Sequence, residues 1–352
     1  MKKNLFILAA TAAALASCSN DVTTAVNTTL NAPQEITFRT TADRMTRAAD
    51  ITSAADLKSI YVYAFQNGNT STTYLNKELF TGPGTYTSAT MHLWPEYNLD
   101  FYAWSAHSVT NGDKSDQVTN AAYNSYVVTP SATAAEQVDF IYASSPNVAG
   151  PNAVPLAFSH KESRILVKVK NTDSSINFEV TGWKLGFMVP NATFDGSVWG
   201  SLGTASATTI YTSDFTSTPK TINYDASATT ALTGSQIMIP QAITPASAYA
   251  GTTAGDAVNG AFIGIEFKAV NASNTEDVVQ AKIWGIWPIP AISWAAGNQY
   301  TYVIDLADGG YYETNHNGGD TTLDKIFPGG FIKFASVTIT EWVAGDDIPI
   351  GM

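Results

Sequence analysis

The stretch Pro155-Leu-Ala-Phe-Ser-His160-Lys-Glu-Ser-Arg-Ile165-Leu-Val-Lys-Val-Lys170 sets the fold class. From Ile165 onward its residues alternate. Ile165, Val167 and Val169 lie on one side, Lys168 and Lys170 on the other. A period of two is the signature of a strand with one buried and one wetted face. The same pattern recurs on both sides of this stretch. Gln34 to Thr40 puts Ile36 and Phe38 on one face and Glu35, Thr37 and Arg39 on the other. Ile60 to Phe65 is strongly β-prone and runs into Asn67-Gly68, a hairpin turn signal.

Further strands are expected over 85–93, 100–105, 123–128, 140–143, 177–189, 221–224, 234–239, 260–270, 278–287, 299–306 and 331–342. The segment 106–122 is rich in Asn, Ser, Asp and Gly and reads as a loop. No helix-period run of useful length exists, although short helical turns fit 54–58 or 132–136. Strands recurring about every ten residues predict an all-β protein of two β-sandwich domains. Pro146, Pro151 and Pro155 lie in a Ser, Asn and Gly-rich stretch over 144–155, the expected boundary. The N-terminal sandwich is then 48–155 and the C-terminal one 156–352.

Composition narrows the function. The 352 residues carry 30 carboxylates against 18 Lys and Arg, a formal net charge of −12. A nucleic-acid partner would need a basic stripe, which is missing. There is one cysteine, Cys18, so no intrachain disulfide can brace the fold. Met1-Lys2-Lys3 begins the chain, Leu5 to Ala16 is small and apolar, and Leu15-Ala16-Ser17 precedes Cys18. That order reads as a lipoprotein signal over 1–17, with lipid attached at Cys18 and the protein tied to the outer membrane. The apolar run is too short for a bilayer-spanning helix of about 20 residues. Residues 19–33 are polar and read as a tether, so 18–47 combines tether and leading strand.

Catalytic chemistry is poorly supported. His92, His107, His160 and His316 share no i, i+4 spacing, and no paired-cysteine motif, Gly-x-Ser-x-Gly elbow or phosphate loop occurs. No cofactor and no metal are expected. The segment 308–320 is rich in oxygen ligands and Gly but lacks the EF-hand pattern, so it reads as a long turn. Glu96 and Asp100 flank Tyr97 without the marks of a glycosidase pair. Trp284, Trp287 and Trp294 suggest a sugar platform, yet positions 284 and 287 must face opposite sides of a strand. At least one is therefore core, and Trp94 and Trp104 read as core or interface residues.

Taken together, these motifs resemble the fimbrillin family, the pilin-like lipoproteins of the Bacteroidales that build type V pili. The resemblance rests on Cys18; on Ile36-x-Phe38 followed by Thr46-Arg47-Ala48; and on Ile60-Tyr-Val-Tyr-Ala-Phe65. It continues in Phe158-x-His160-x-x-Ser163-Arg164-Ile165-x-Val167-x-Val169 and in Gly297-Asn-x-Tyr300-x-Tyr302-x-Ile304-x-Leu306, with a last strand ending at Trp342. Phe101-Tyr-Ala-Trp-Ser105 and Asp139-Phe-Ile-Tyr-Ala143 fit as well.

The resemblance implies two tandem transthyretin-like sandwiches and polymerisation with other pilin subunits, head to tail, into a surface fimbrium for adhesion. A trypsin-like, Arg-specific protease would cut between Arg47 and Ala48 and release the Ile36–Phe38 strand with the anchor; Arg44 and Arg39 are alternative sites, Arg39 the poorer because it lies in the strand. A neighbour's strand would then enter the vacated groove. The C-terminal stretch 331–352 is the candidate donor, through Val337, Ile339 and Trp342 or through Ile348 and Ile350. The sequence leaves stalk, tip and anchor roles open. The competing reading is a monomeric surface lipoprotein that binds glycan or host protein; a hydrolase would need a cleft site not visible in the sequence.

Overall fold

The computed structural model describes residues 34–40, 56–108, 112–113, 115–274, 276–278, 282–327 and 334–342. Cys18, Arg47, Ala48, Ile348 and Ile350 lie outside the described residues. Among the described residues the regular structure is β-strand, apart from three short 3-10 turns, one of them at Ala134–Glu136.

The Ser59–Gln66 strand turns at Asn67-Gly68 and returns as Asn69–Thr81. Gly68 takes φ +72°, the left-handed conformation such a tight turn requires. The returning strand went unread in the sequence because it is polar and largely exposed, with only Leu75 and Phe80 buried. Its register against Ser59–Gln66 slips three times, and such bulges bend a strand. These two strands belong to a nine-stranded sheet. The main path runs Val154–Leu156, Phe38–Thr40, Thr85–Ser88, Asn69–Thr81, Ser59–Gln66, Leu99–Ser108, Asp139–Val148 and Ser159–His160. The sheet curls on itself. Strands lie about 4.8 Å apart, so four positions in a flat sheet would separate two residues by about 19 Å. Phe38 and Phe101 stand four strands apart on this path, yet their ring centroids are 5.3 Å apart. The space between is the first core, which includes Ile36, Phe38, Ile60, Val62, Phe80, Phe101, Val154 and Leu156.

The boundary expected at 155 falls inside this sheet. Leu99 pairs with Val148 and Phe101 with Ser145, so Pro146 and Asn147 sit in a bulge that needs no ladder hydrogen bond from the proline. Val154–Leu156 then pairs in parallel with Phe38–Thr40, and Ser159–His160 pairs with Asp139–Val148. The chain leaves the first sheet only after His160.

Ser163–Asn171 opens the second group of sheets with strict alternation, and Ile165, Val167 and Val169 are buried as the lysines' side is not. It runs parallel to Asn298–Asp305, which pairs on its other side with Phe334–Glu341. These strands form a five-stranded sheet with Asp225–Ala231 and Gln236–Met238. A six-stranded sheet built around Ile176–Gly186, Phe262–Asn271 and Ile283–Pro288 packs against it. Between them lies the second core, which includes Val167, Tyr302, Ile304, Phe178, Ile265, Phe267 and Trp287. A bulge after Val180 keeps Trp183 and Leu185 on the core side, continuing the face of Phe178 and Val180.

The two groups are joined by a shared sheet. Ser125–Val128 pairs with Val118–Ala122 on one side and with Ala192–Phe194 on the other. Trp104, Phe140 and Tyr142 of the first sheet pack with Val189, Phe194 and Ile239 in a third apolar cluster. The loop expected over 106–122 is therefore partly strand. Leu99–Ser108 runs past the expected end, and Val118–Ala122 is an edge strand that needs only Val118 on the core.

Candidate functional site: a slot filled by the leading strand

Residues 34–40 lie in a slot with walls on both sides. On one side the Ile36 N–H donates to the His92 carbonyl at 2.7 Å, and the Trp94 N–H donates to the Gln34 carbonyl at 3.0 Å. Phe38 and Arg39 continue that wall by pairing antiparallel with Tyr86 and Thr85. On the other side the Val154 N–H donates to the Thr37 carbonyl at 2.9 Å, and Phe38–Thr40 runs parallel to Val154–Leu156. Ile36 and Phe38 are both 0% exposed. Phe38 meets Phe80 edge to face at 4.7 Å and Phe101 at 5.3 Å.

The leading strand therefore supplies apolar floor and backbone partners together. Burying side chains of this size is worth about 1.5–3 kcal/mol each. Taking the strand away would also leave the His92 carbonyl and the Trp94 and Val154 N–H groups without their partners, open to a new strand. Tyr86 lines the slot. Its hydroxyl donates to the Leu57 carbonyl at 2.8 Å, and burial pushes its phenol up to about 12. Of the slot walls, His92 and Leu93 close the stretch read as a strand over 85–93, although the regular strand ends at Ser88 and Leu93 makes an isolated bridge. Val154–Leu156 was not legible, since Pro155 interrupts it.

The closing strand, Phe334–Glu341, is seated in its own chain. Its register with Asn298–Asp305 extends from Asn298↔Glu341 to Ile304↔Phe334. Val337 and Ile339 are half-buried against the second core. Trp342 is buried with Ile237 and lies flat on His160, with ring centroids 4.1 Å apart. Beneath that stack, Asp139 Oδ2 lies 2.5 Å from His160 Nδ1. Glu162 is 0% exposed, and Oε2 accepts the Phe140 N–H at 2.9 Å. Burial holds the Glu162 carboxyl well above the usual carboxylate range. This acidic–aromatic cluster joins the end of the first sheet to the end of the last strand; Asp139, His160 and Trp342 stood out in sequence motifs, but Glu162 did not.

The other candidates resolve into structural roles. Trp287 is 0% exposed in the second core, and Trp294 is buried with its indole N–H donating to the Tyr302 hydroxyl at 2.9 Å. Trp284 faces the other way, half-buried, with Lys184 Nζ 4.0 Å from its ring centroid. Trp104 is fully buried and Trp94 packs on the first core. In the 308–320 turn, Asn315 Oδ1 accepts the Gly318 N–H, and Asp324 Oδ2 accepts the His316 N–H. Among the described residues no three His, Cys, Asp or Glu side chains are grouped to hold a metal ion.

These features define an all-β protein of packed sheets whose first core is completed by an N-terminal strand. A family model described as fimbrillin-like matches residues 46–342, and the chain belongs to that family. A fimbrial protein from Bacteroides vulgatus has a similar solved structure: 16% identity, 88% of this chain and 100% of that one covered, TM-score 0.54. The tip fimbrial protein Mfa3 from Porphyromonas gingivalis, with a C-terminal truncation, aligns over 87% of this chain and 98% of its own at 10% identity, TM-score 0.38. The first of these likenesses establishes a shared fold. No curated protein sequence matches the chain.

Proposed function

We propose that this protein is a stalk or tip subunit of a surface fimbrium, exported as an outer-membrane lipoprotein through Cys18 and polymerised by strand exchange. In this reading each packed pair of sheet faces is a transthyretin-like domain. An Arg-specific protease cuts between Arg47 and Ala48, and the leading strand departs with the lipid. A second subunit then supplies the strand that refills the slot. The observation that carries the reading is the leading strand itself. Ile36 and Phe38 are fully buried in a slot with backbone partners on both sides, as a removable strand must be.

The seating of Phe334–Trp342 bears on the donor. Extracting it would break a full antiparallel ladder and expose Trp342, so the reading favours the segment with Ile348 and Ile350 as donor. Slot and donor are different parts of the chain rather than one self-complementary patch, so in this reading the contact is head to tail and builds an open filament. The test is the N-terminus and intact mass of the native protein sheared from its own cells. A lipid-free start at Ala48 supports the reading. A start at lipidated Cys18 overturns strand release and points to an anchor or to a monomeric binder of glycan or protein.

A further inference from the structure

The slot has an apolar outer lip, and the leading strand lies against one residue of it, Leu93. Leu93 faces Glu35 across an antiparallel bridge, so their side chains emerge on the same, outward side. Met91 and Leu93 are 67% and 37% exposed, and Tyr97 is 37% exposed. Tyr74 binds this group together: its hydroxyl donates to the Leu93 carbonyl, and its ring meets Tyr97 edge to face at 6.4 Å. Tyr74 packs on the first core, whereas Met91, Leu93 and Tyr97 belong to none of the apolar clusters among the described residues. The backbone of the same segment, at His92 and Trp94, holds the leading strand.

We infer that the lip formed by Met91, Leu93 and Tyr97 is part of the subunit–subunit contact, and that its occupant is a second copy of this chain. The inference rests on the strand-exchange reading and adds a surface to it. Departure of residues 34–40 removes Glu35, the charged neighbour that lies against Leu93. The cut thus opens the slot and uncovers Leu93 beside the already exposed Met91 in one event. An incoming copy whose strand enters beside His92–Trp94 is carried directly over Leu93 and Met91, because slot wall and lip are one segment. Charge points the same way. The chain carries a net −12, so two copies repel at a distance, and an apolar lip next to the slot provides attraction without further charge.

The experiment uses the full chain, treated with an Arg-specific protease, and follows polymer growth by light scattering and electron microscopy. Three proteins are compared: the unsubstituted chain, Met91→Ser/Leu93→Ser, and Val198→Ser/Leu202→Ser as a control. Val198 and Leu202 are as exposed, at 61% and 50%, but flank Trp199–Gly200, which belongs to a different sheet from the slot. The expected result is polymer growth slowed about tenfold in the lip variant and unchanged in the control. All three uncut proteins should melt alike, since the altered side chains are exposed. Equal growth of the lip variant and the unsubstituted chain overturns the lip while leaving strand exchange standing. No growth of the cut, unsubstituted chain overturns both.

Discussion

Trp342 lies flat on His160, with ring centroids 4.1 Å apart and planes 11° apart. The stack ties the last described residue to the last strand of the first sheet, and the Trp342 N–H donates to the Gly297 carbonyl at 2.6 Å beside it. Buried aromatics of this size carry large stabilisation, so Trp342→Ala should cost about 3–5 kcal/mol. The effect should be local as well as global. Amide hydrogen exchange over 334–341 should accelerate more than exchange over 163–171. Trp342→Phe keeps a ring on the imidazole and should recover much of the loss. If the alanine variant melts like the parent, the stack is not what holds the closing strand.

Glu162 gives the fold a pH dependence of definite sign. Burial is the largest influence on its carboxyl and raises it well above the ordinary value of 4.5; the Phe140 N–H opposes this. A carboxyl raised on folding binds its proton more tightly in the folded chain. Its contribution to stability is therefore complete below pH of about 4.5 and declines as pH rises from there towards the folded value. Glu162→Gln is neutral at every pH and escapes the decline. It should be more stable than the parent at pH 7 to 8, with the difference shrinking as pH falls towards 4. Melting temperatures of both proteins across that range provide the check.

Phe38→Ala separates the precursor from the assembled state. In the precursor it opens a cavity against Phe80 and Phe101 and should cost about 3–5 kcal/mol. Once the leading strand has left, residue 38 is gone from the subunit, so the cut protein should polymerise as the parent does. Denaturant melts of the uncut chains and growth curves of the cut ones measure the two effects. Slowed growth after cutting would mean that the leading strand stays in the fibre.

Much of this was legible in the sequence, and the parts that were not share a cause. Ile165, Val167 and Val169, and likewise Ile36 and Phe38, announced themselves by a period of two because each strand buries one face and wets the other. Trp284 and Trp287 split between faces for the same reason. Asn69–Thr81 and Val118–Ala122 carry few buried side chains; neighbouring strands and the apolar clusters they flank hold them extended, so no local pattern betrays them. Pro146 signalled a break where a bulge absorbs it within a strand. The Asp139–His160–Trp342 cluster joins residues distant in the chain, and Leu93 gains meaning only beside Glu35. Proximity of that kind is a property of the fold, not of any window of sequence.

Tyr86 offers a direct readout of whether the slot empties. Its phenol is raised to about 12, first by burial, with a hydrogen bond from the Thr40 side chain acting in the opposite direction. Phe38 pairs with Tyr86 across the wall, so removing residues 34–40 takes away both the Thr40 contact and the neighbouring strand. Water then reaches the ring, and the phenol should fall back towards its ordinary value of 10. A raised phenol favours the folded state below pH of about 10, an advantage lost as pH climbs through 12. Spectrophotometric titration of the phenolate, with Tyr86→Phe subtracted to isolate the one ring, should therefore show a late-titrating group in the uncut chain. In freshly cut protein that group should titrate earlier, and in polymer it should titrate late again, because a new strand covers it. Arg47→Ala should keep the late titration after protease treatment and yield no polymer. If cutting at Arg47 leaves the Tyr86 titration unmoved, the leading strand has stayed in its slot and exchange does not follow from the cut.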